Sequence, residues 1–558
     1  MEIMLLVNSP IRLTFNSGGV ETTSLRLILR LASLRKWHVG VTDVSTAFLN
    51  APLNLPYEII VWAPNAFATA GVTERGEAWL IKKAIYGLRE APRAWGDERD
   101  SQLRVITIWS WNMPHRLKQL ATDTSVWAVI KQPTDFYKDK NTKLFLPVPM
   151  RLLIKAFLGD MMVGVMITYV DDVLAVGPKS IVAPVISVVK KIWTCSDGEY
   201  TYNDQLILFC ATRIKRLSNG SLFLDQQPYV EDVLERHSLH QSAGLKVPMQ
   251  PDEGEIDDKA EHEYVELIKA MLPEDRALEI PVKEAQSIAG ELLWLSQRTR
   301  PDIVYPVQRC CSFATVNPHR SKRIGKTILK YLAGSRDFGL QMACSDELSL
   351  MPEVITIKYP QFQPYVATYH PQVVHAYTDA SFVKQGDLSI GAFVIMYAGC
   401  PVSWRCSKLA LDSHSTCEAE LQAAQEGHVG GLNVRTLIEE LTSTSHPITL
   451  LVDNQACVQL LNSAGATSWR TRHLKIRASQ LVQSKALGEV VIKHVPGEIE
   501  IADVLTKALP SIRFSTSRYV LGVTDPVDSQ FRVSHNQPLA TNSISTMVQQ
   551  SRDATRMI

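Results

Sequence analysis

The chain has 558 residues, too many for one hydrophobic core and enough for three or four domains. Hydrophobic residues at 46% and charged residues at 21% exclude a disordered or fibrous protein. Lys+Arg 58 against Asp+Glu 57 excludes a uniformly basic surface, so any nucleic-acid contact must come from local patches. No apolar run is long enough to span a bilayer, and MEIMLLVNSP has an acid at position 2 and too short an apolar core for a secretion signal. Nine cysteines show no CxxC and no Cys/His ligand spacing, which reads as free thiols in a reducing compartment.

From about Leu25 to Leu245, short β-rich runs (WHVGV, EIIVWA, VMITYV) alternate with helical segments. An acidic stretch, PMQPDEGEIDDKAEHEYVE, follows as a linker or solvated loop. Glu284 to Gln297 and Ser321 to Gly334 repeat apolar residues at helical spacing, the second with a basic face. Met351 to Pro371 reads as a second connector. From Val373 to about Pro510 the order is three strands, helix, strand, two helices, strand, helix. Beyond Pro510 the Ser/Thr/Asn/Gln-rich sequence shows no period and reads as disordered. No internal repeats stand out.

Two sets of acids carry chemistry. In the first, apolar β-branched runs flank Asp171 and Asp172, predicting a hairpin with the acid pair at its turn. Adjacent carboxylates repel unless a cation lies between them, although an isolated Asp-Asp pair is most often a surface turn. Upstream, Trp37 to Val41 is an apolar strand leading to Asp43. These oxygens suit octahedral Mg²⁺, and two such ions can activate an attacking hydroxyl and stabilise a leaving pyrophosphate.

In the order DVSTAFLNAPL, KKAIYGLREAPRAW (Lys82 to Trp95) and YVDDVLAVG, the chain resembles the reverse transcriptase of copia-type LTR retrotransposons. LSQRTRPDIVYPVQ and ILKYLAGSRDFGL resemble the same family's connecting region, and the likeness runs from about Leu25 to Pro510. The resemblance implies a right-hand-type palm/fingers polymerase (1–245: truncated fingers, palm and the start of a thumb), a helical connection region with the acidic linker (246–372) and an RNase H-like mixed sheet with flanking helices (373–510), an α/β (α+β) multidomain chain to which the composition adds a disordered tail (511–558). It makes Asp43, Asp171 and Asp172 the polymerase acids. Asp43 and Asp171 would hold both ions, with Asp172 near the primer end. Phe48 falls where the wider family places an aromatic beneath the incoming sugar, though a core Phe fits equally well. Tyr86, Gly87 and Arg89 fall in a template- and nucleotide-contacting loop. Tyr169 is either a packed strand aromatic or a primer contact.

The second set is Asp379 in HAYTDASF, Glu420 in STCEAELQAAQEG, Asp453 in ITLLVDN and Asp503 in EIADVLTKAL. In this order the four resemble an RNase H domain, where two Mg²⁺ ions activate water against an RNA phosphodiester. Glu418 competes with Glu420, but two residues turn a helix by roughly 200°, so only one faces the site; the family's register selects Glu420. His494 and Glu498 lie in the loop before the last acid. Arg470, Arg472, His473, Lys475 and Arg477, and Arg320, Lys322, Arg323, Lys326 and Lys330, form two basic runs suited to phosphates or simply to solvent.

The implied partners are RNA template, DNA primer, RNA–DNA hybrid and deoxynucleoside triphosphates, with Mg²⁺ (or Mn²⁺) as cofactor and no membrane. The implied location is the cytoplasm, in virus-like particles, and the nucleus. The chain departs from the family at its first nineteen residues, which do not match the basic fingers segment, at Phe209-Cys210-Ala211 in place of Phe-Leu-Gly, and at an insertion near Pro133 to Phe157. These departures predict a partial element with weak polymerisation. The alternatives are a chain with RNase H activity alone, and a non-catalytic nucleic-acid-binding relic.

Overall fold

The computed structural model describes residues 3–5, 19–131, 162–250, 279–344, 373–382, 389–462 and 472–526. The 133–157 insertion, most of the acidic linker, the 351–371 connector and the chain beyond 526 lie outside these residues. In chain order the elements begin with β1 (Ile3–Leu5), α1 (Thr22–Leu34), β2 (His38–Asp43), β3 (Ile59–Trp62), α2 (Asn65–Thr69), β4 (Ala78–Leu80) and α3 (Ala91–Val105). Then come β5 (Thr107–Ser110), β6 (Met113–Gln119), β7 (Val126–Lys131), β8 (Met162–Tyr169), β9 (Asp172–Gly177), α4 (Lys179–Ile192), β10 (Glu199–Tyr200), β11 (Ile207–Phe209) and β12 (Thr212–Arg216). The middle holds β13 (Leu222–Asp225), α5 (Gln227–Arg236), α6 (Glu279–Arg298), α7 (Val304–Phe313), α8 (Pro318–Ala333) and β14 (Gly339–Met342). The last part holds β15 (Val374–Ser381), β16 (Ile390–Tyr397), β17 (Cys400–Lys408), α9 (Thr416–Thr442), β18 (Ile448–Val452), α10 (Gln455–Asn462), α11 (Arg472–Ala486), β19 (Val490–His494), α12 (Ser511–Val520) and β20 (Val523–Thr524).

These elements form two compact units of mixed α/β type, neither continuous in sequence. One combines Met1–Arg216 with Pro371–Ala502, the other Leu217–His370 with Asp503–Ile558. By this division the first and last patterned stretches share a unit.

In the first unit, a seven-stranded antiparallel sheet runs β10-β2-β9-β8-β7-β6-β5. Its core joins Val129, Met166, Val173 and Ala175 to Trp95 on α3 and Val182, Val185 and Val189 on α4. A second sheet runs β17-β16-β15-β18-β19, with β15 antiparallel to β16 and parallel to β18. The helix α1 ties the two together. Its residues from Ser24 to Ser33 are all buried, the polar Ser24, Arg26, Arg30 and Ser33 included, and it packs against β9, β17 and α9. Two arginines inside this apolar run are satisfied by carbonyls of the second sheet. Arg26 Nε donates to Val402 O at 2.8 Å with its guanidinium 3.6 Å from the Trp404 ring centroid. Arg30 Nη2 donates to Ala398 O at 2.6 Å.

The second unit holds an antiparallel β13-β14-β20 sheet beside helices α6, α7 and α8. A fully buried Arg300–Asp302 pair, joined by Tyr331 Oη at 2.6 Å from Asp302, anchors its helices. The stretch after Pro510 departs from the disorder expected of it: α12 is a helix whose Phe514 packs edge-on to Tyr331, ring centroids 5.6 Å apart. One buried aromatic is too few apolar residues to leave a period in the sequence. The helix expected at Asp503 is a short 3₁₀ turn, Ile501–Leu505.

The turn between β11 and β12 is Cys210-Ala211, with φ of 49° and 57°. Two left-handed residues give the hairpin twist its strands favour, but a Cβ there costs about 1–2 kcal/mol. Ala211→Gly should stabilise the chain by about 0.5–1 kcal/mol once glycine's entropy is deducted. Urea titration monitored by circular dichroism checks this, and a lower midpoint for the variant would refute the strained turn.

Candidate active sites

Strand register brings the first acids together. Asp43 ends β2 opposite Asp172, which opens β9. Tyr169 and Asp172 close the β8–β9 hairpin, so Val170 and Asp171 are its two-residue turn. Val170 has φ 51°, an outlier for a β-branched residue that persists only where the surroundings impose it. Two contacts impose it here. Trp95, buried on α3, donates its Nε1–H to Val170 O at 2.6 Å, and Val44 N donates to Asp171 O at 2.9 Å. Reading the sequence did not single out Trp95 as a site residue, although it closes the Lys82–Trp95 motif. Its indole is what pins the turn that carries Asp171.

The three carboxylates feel one another. Burial, then the charge of Asp171, raises the Asp43 carboxyl above its ordinary value. Burial, then Asp171 and Asp43, pushes Asp172 from 3.8 to about 6. The folded chain therefore holds an extra proton between about pH 4 and 6, and without divalent metal its stability falls as pH rises through that window. Asp172→Asn should remove this dependence, raising the melting temperature in chelator by a few degrees more at pH 8 than at pH 5. Equal shifts at the two pH values would show that Asp172 is not strained by its neighbours.

Phe48 is half-buried, its ring centroid 4.6 Å from that of Tyr86. Tyr86 is exposed, and its phenol is raised by desolvation and then by the charges of Asp171 and Asp43. Gly87 has φ 96° and open space where a Cβ would stand. Glycine is thus required by backbone conformation, not by the close approach of another group. Arg89 is exposed. Tyr169 packs edge-on to Phe209 at 6.4 Å, and a Cβ on Gly19 would meet its ring at 2.8 Å.

The second site forms where two parallel strands end. Thr378 on β15 is paired with Val452 on β18, so the next residue on the first strand, Asp379, and the first beyond the second, Asp453, emerge side by side. Glu420 reaches them from α9. Ligand oxygens of Asp379, Glu420 and Asp453 all lie within 4.8 Å of one another, with Asp379 and Glu420 buried. Among the described residues this is the one group of three or more acids, histidines or cysteines so close; Asp43, Asp171 and Asp172 are looser. The donor set is all carboxylate oxygen, which suits Mg²⁺ or Mn²⁺ and not zinc.

Glu418 has a different task. Ser415 caps α9, accepting from Glu418 N at 3.2 Å, while Glu418 Oε2 accepts from His414 N at 2.8 Å, an arrangement close to a capping box. The other Glu418 oxygen pairs with Arg477. Gly427, two turns beyond Glu420, sets the depth of α9, since a Cβ there would stand 2.3 Å from Thr378 Cγ2. Cys457 on α10 hydrogen-bonds Cys417; that bond, burial and the nearby Glu420 and Asp453 all push its thiol up. His494 Nε2 lies 3.0 Å from Asp453 O, and Glu498 is exposed.

Asp503 is not in this group. It belongs to the other unit, where Lys507 Nζ stands 2.6 Å from Oδ1 and Arg513 pairs with Oδ2. Arg470 lies outside the described residues, as do the side chains of Arg472, His473 and Lys475.

The first unit thus carries two acid sites on two sheets, and residues 13–109 match the family described as reverse transcriptase (RNA-dependent DNA polymerase). The resemblance to copia-type Pol polyproteins is borne out over most of the chain. It is 25% identical over 512 residues, 91% of its length, to the retrovirus-related Pol polyprotein from transposon RE1 of Arabidopsis thaliana. It is 26% identical over 519 residues to that from transposon TNT 1-94 of Nicotiana tabacum. These alignments cover 29% and 32% of the two relatives, so the chain spans about a third of their length. A crystal structure of RNase H1 from Halobacterium salinarum aligns with 24% of this chain and 90% of its own, at 21% identity and a TM-score of 0.18. No described helix is long and apolar enough to cross a membrane.

Proposed function

We propose that the chain is an RNA-directed DNA polymerase joined to an RNase H. The observation that carries the reading is the pair of acid sites, Asp43/Asp171/Asp172 and Asp379/Glu420/Asp453, each assembled by strand register from motifs that stand in the order of a Pol polyprotein. In this reading the seven-stranded sheet is the palm, and α6–α8 belong to the connection. Primer, RNA template and deoxynucleoside triphosphates meet at the first site, and hybrid at the second, in the cytoplasm and nucleus of the host cell.

Asp43 and Asp171 would hold Mg²⁺ at the first site, and Asp379, Glu420 and Asp453 at the second. Bound there, the metal supplies a Lewis acid that activates the attacking oxygen and stabilises the leaving one. The chain's own part is positional. Trp95 and Val44 fix the turn that carries Asp171 near Asp43, and Phe48, its ring tilted against Tyr86, offers an aromatic floor for a deoxyribose. Asp172, with its raised affinity for protons, lies toward the primer end. At the second site Asp379 and Asp453 are fixed by parallel pairing, and Gly427 seats α9 so that Glu420 reaches them. Asp503 is left out of the ligand set because Lys507 and Arg513 already neutralise it.

The test is two assays on the full chain in Mg²⁺: extension of a labelled primer on RNA, and cleavage of the RNA strand of a labelled hybrid, each stopped by chelator. Cleavage without extension would leave a nuclease. Neither activity, in a folded chain, would leave a nucleic-acid-binding relic.

A further inference from the structure

The helix α8 presents an unusual surface. His319, Lys322, Arg323, Lys326, Thr327 and Lys330 stand at i, i+3, i+4, i+7, i+8 and i+11 along one helix face and line one depression of about 450 Å³. The opposite face, Ser321, Ile324, Gly325, Ile328, Leu329 and Leu332, is buried. Arg323, Lys326 and Lys330 are exposed. Arg320, part of the same basic run in sequence, turns away and lies over Phe313, 4.3 Å from the ring centroid.

Stacking like charges along one stripe is unfavourable. Lys322–Lys326 and Lys326–Lys330 are four apart and Arg323–Lys326 three apart, and each such pair costs about 0.2–0.5 kcal/mol in an isolated helix. One acid relieves this: Glu284 on α6 pairs with Lys322, and its carboxyl is held below the usual range chiefly by Lys322 and more weakly by Lys326. No ion pair joins Arg323, Lys326 or Lys330 to an acid among the described residues. An ordinary solvated helix face mixes signs, whereas this one keeps a single sign for three turns. The charge balance of the whole chain makes the stripe a local feature and not a share of a general excess.

From this charge and spacing we infer that the α8 stripe is a docking surface for the phosphate backbone of a nucleic-acid duplex. From His319 to Lys330 the stripe extends about 16 Å along the helix, and a strand carries one phosphate per about 3.4 Å of axis. Arg323, Lys326 and Lys330, together with Lys322 beside its Glu284, therefore face a stretch of roughly five phosphates. Lysine and arginine without a base-reading partner give affinity and orientation but no sequence preference. That suits a protein whose template changes at every step. The inference deepens the polymerase and RNase H reading by assigning a grip on the duplex to residues that belong to neither acid site.

The test is the salt dependence of binding. Full chain and the triple variant Arg323→Gln/Lys326→Gln/Lys330→Gln are titrated into a labelled RNA–DNA hybrid at several KCl concentrations in chelator, with anisotropy as the readout. The variant should lose on the order of tenfold in affinity near physiological salt. Its slope of log affinity against log[KCl] should be shallower by about 2–3, since each phosphate contact contributes about 0.7–0.9. The charge-preserving variant Arg323→Lys/Lys326→Arg/Lys330→Arg should keep the wild-type slope, which separates charge from folding. An unchanged slope in the triple variant overturns the surface and leaves the catalytic reading intact. A lost slope in a chain that neither extends nor cleaves upholds the surface and sinks the catalytic reading. If the triple variant binds hybrid normally but no longer binds polyglutamate, the stripe belongs to an acidic protein and the inference fails.

Discussion

Asp453→Asn in the full chain should reduce cleavage of the RNA strand of a hybrid by more than about 100-fold, because even groups that only support a metal ligand are worth about 10–100-fold. The substitution keeps the shape of the side chain and removes one of three negative charges gathered within 4.8 Å. Without metal the same variant should be at least as stable as the parent, since it relieves repulsion among carboxylates. Those two effects, opposite in sign, separate a metal ligand from a structural acid. Glu418→Gln offers the contrast: it weakens a helix cap and the pairing with Arg477, so it should lower stability and leave the cleavage chemistry in place. Hybrid cleavage unaffected by Asp453→Asn would rule out the proposed site.

Asp171→Asn should likewise remove primer extension, again by more than about 100-fold, while hybrid cleavage continues at the parental rate. The two sites stand on different sheets, with no acid in common, so their losses should be independent. Retained extension would mean that Asp171 is only a turn residue. If extension by the parent is too weak to measure, Mn²⁺ binding followed by electron paramagnetic resonance gives the same comparison without turnover. The variant should lose the weaker of two classes of site and keep the class at Asp379, Glu420 and Asp453. Unchanged stoichiometry and affinity would count against a metal at Asp171.

Much of both sites was legible because each depends on local pattern. Apolar strands ending in acids, and a hairpin closing on two of them, can be read from alternation and spacing, and the register then follows from the pairing of short strands. Helix pitch allows only one of Glu418 and Glu420 to face the site, and the family's register singled out Glu420. What escaped depends on groups distant in the chain or on backbone shape. Trp95 matters because its indole reaches a carbonyl on a turn 75 residues away, and nothing in RAW announces that. Gly427 matters because Thr378 lies beneath it, and a glycine in a helix reads only as a weak point. For Asp503 the motif is clear, but its ion pairs with Lys507 and Arg513 were not legible, since those cations become its neighbours only once the chain has turned.

The helix α1 has a consequence for how the protein is made. Its arginines bond to carbonyls as many as 376 residues further along, and its apolar sides are buried against β17 and α9 as well as β9. A ribosome adding about 5–20 residues per second needs roughly 20–75 s to produce those partners. Throughout that interval a helix with a broad apolar face and two arginines awaiting their carbonyls waits outside the exit tunnel with half its seat not yet synthesised, exposed to chaperones and to its own kind. A cut in the intervening polypeptide after synthesis is a different matter: the two ends of the first unit would stay together, held by Arg26, Arg30 and the surface they cross.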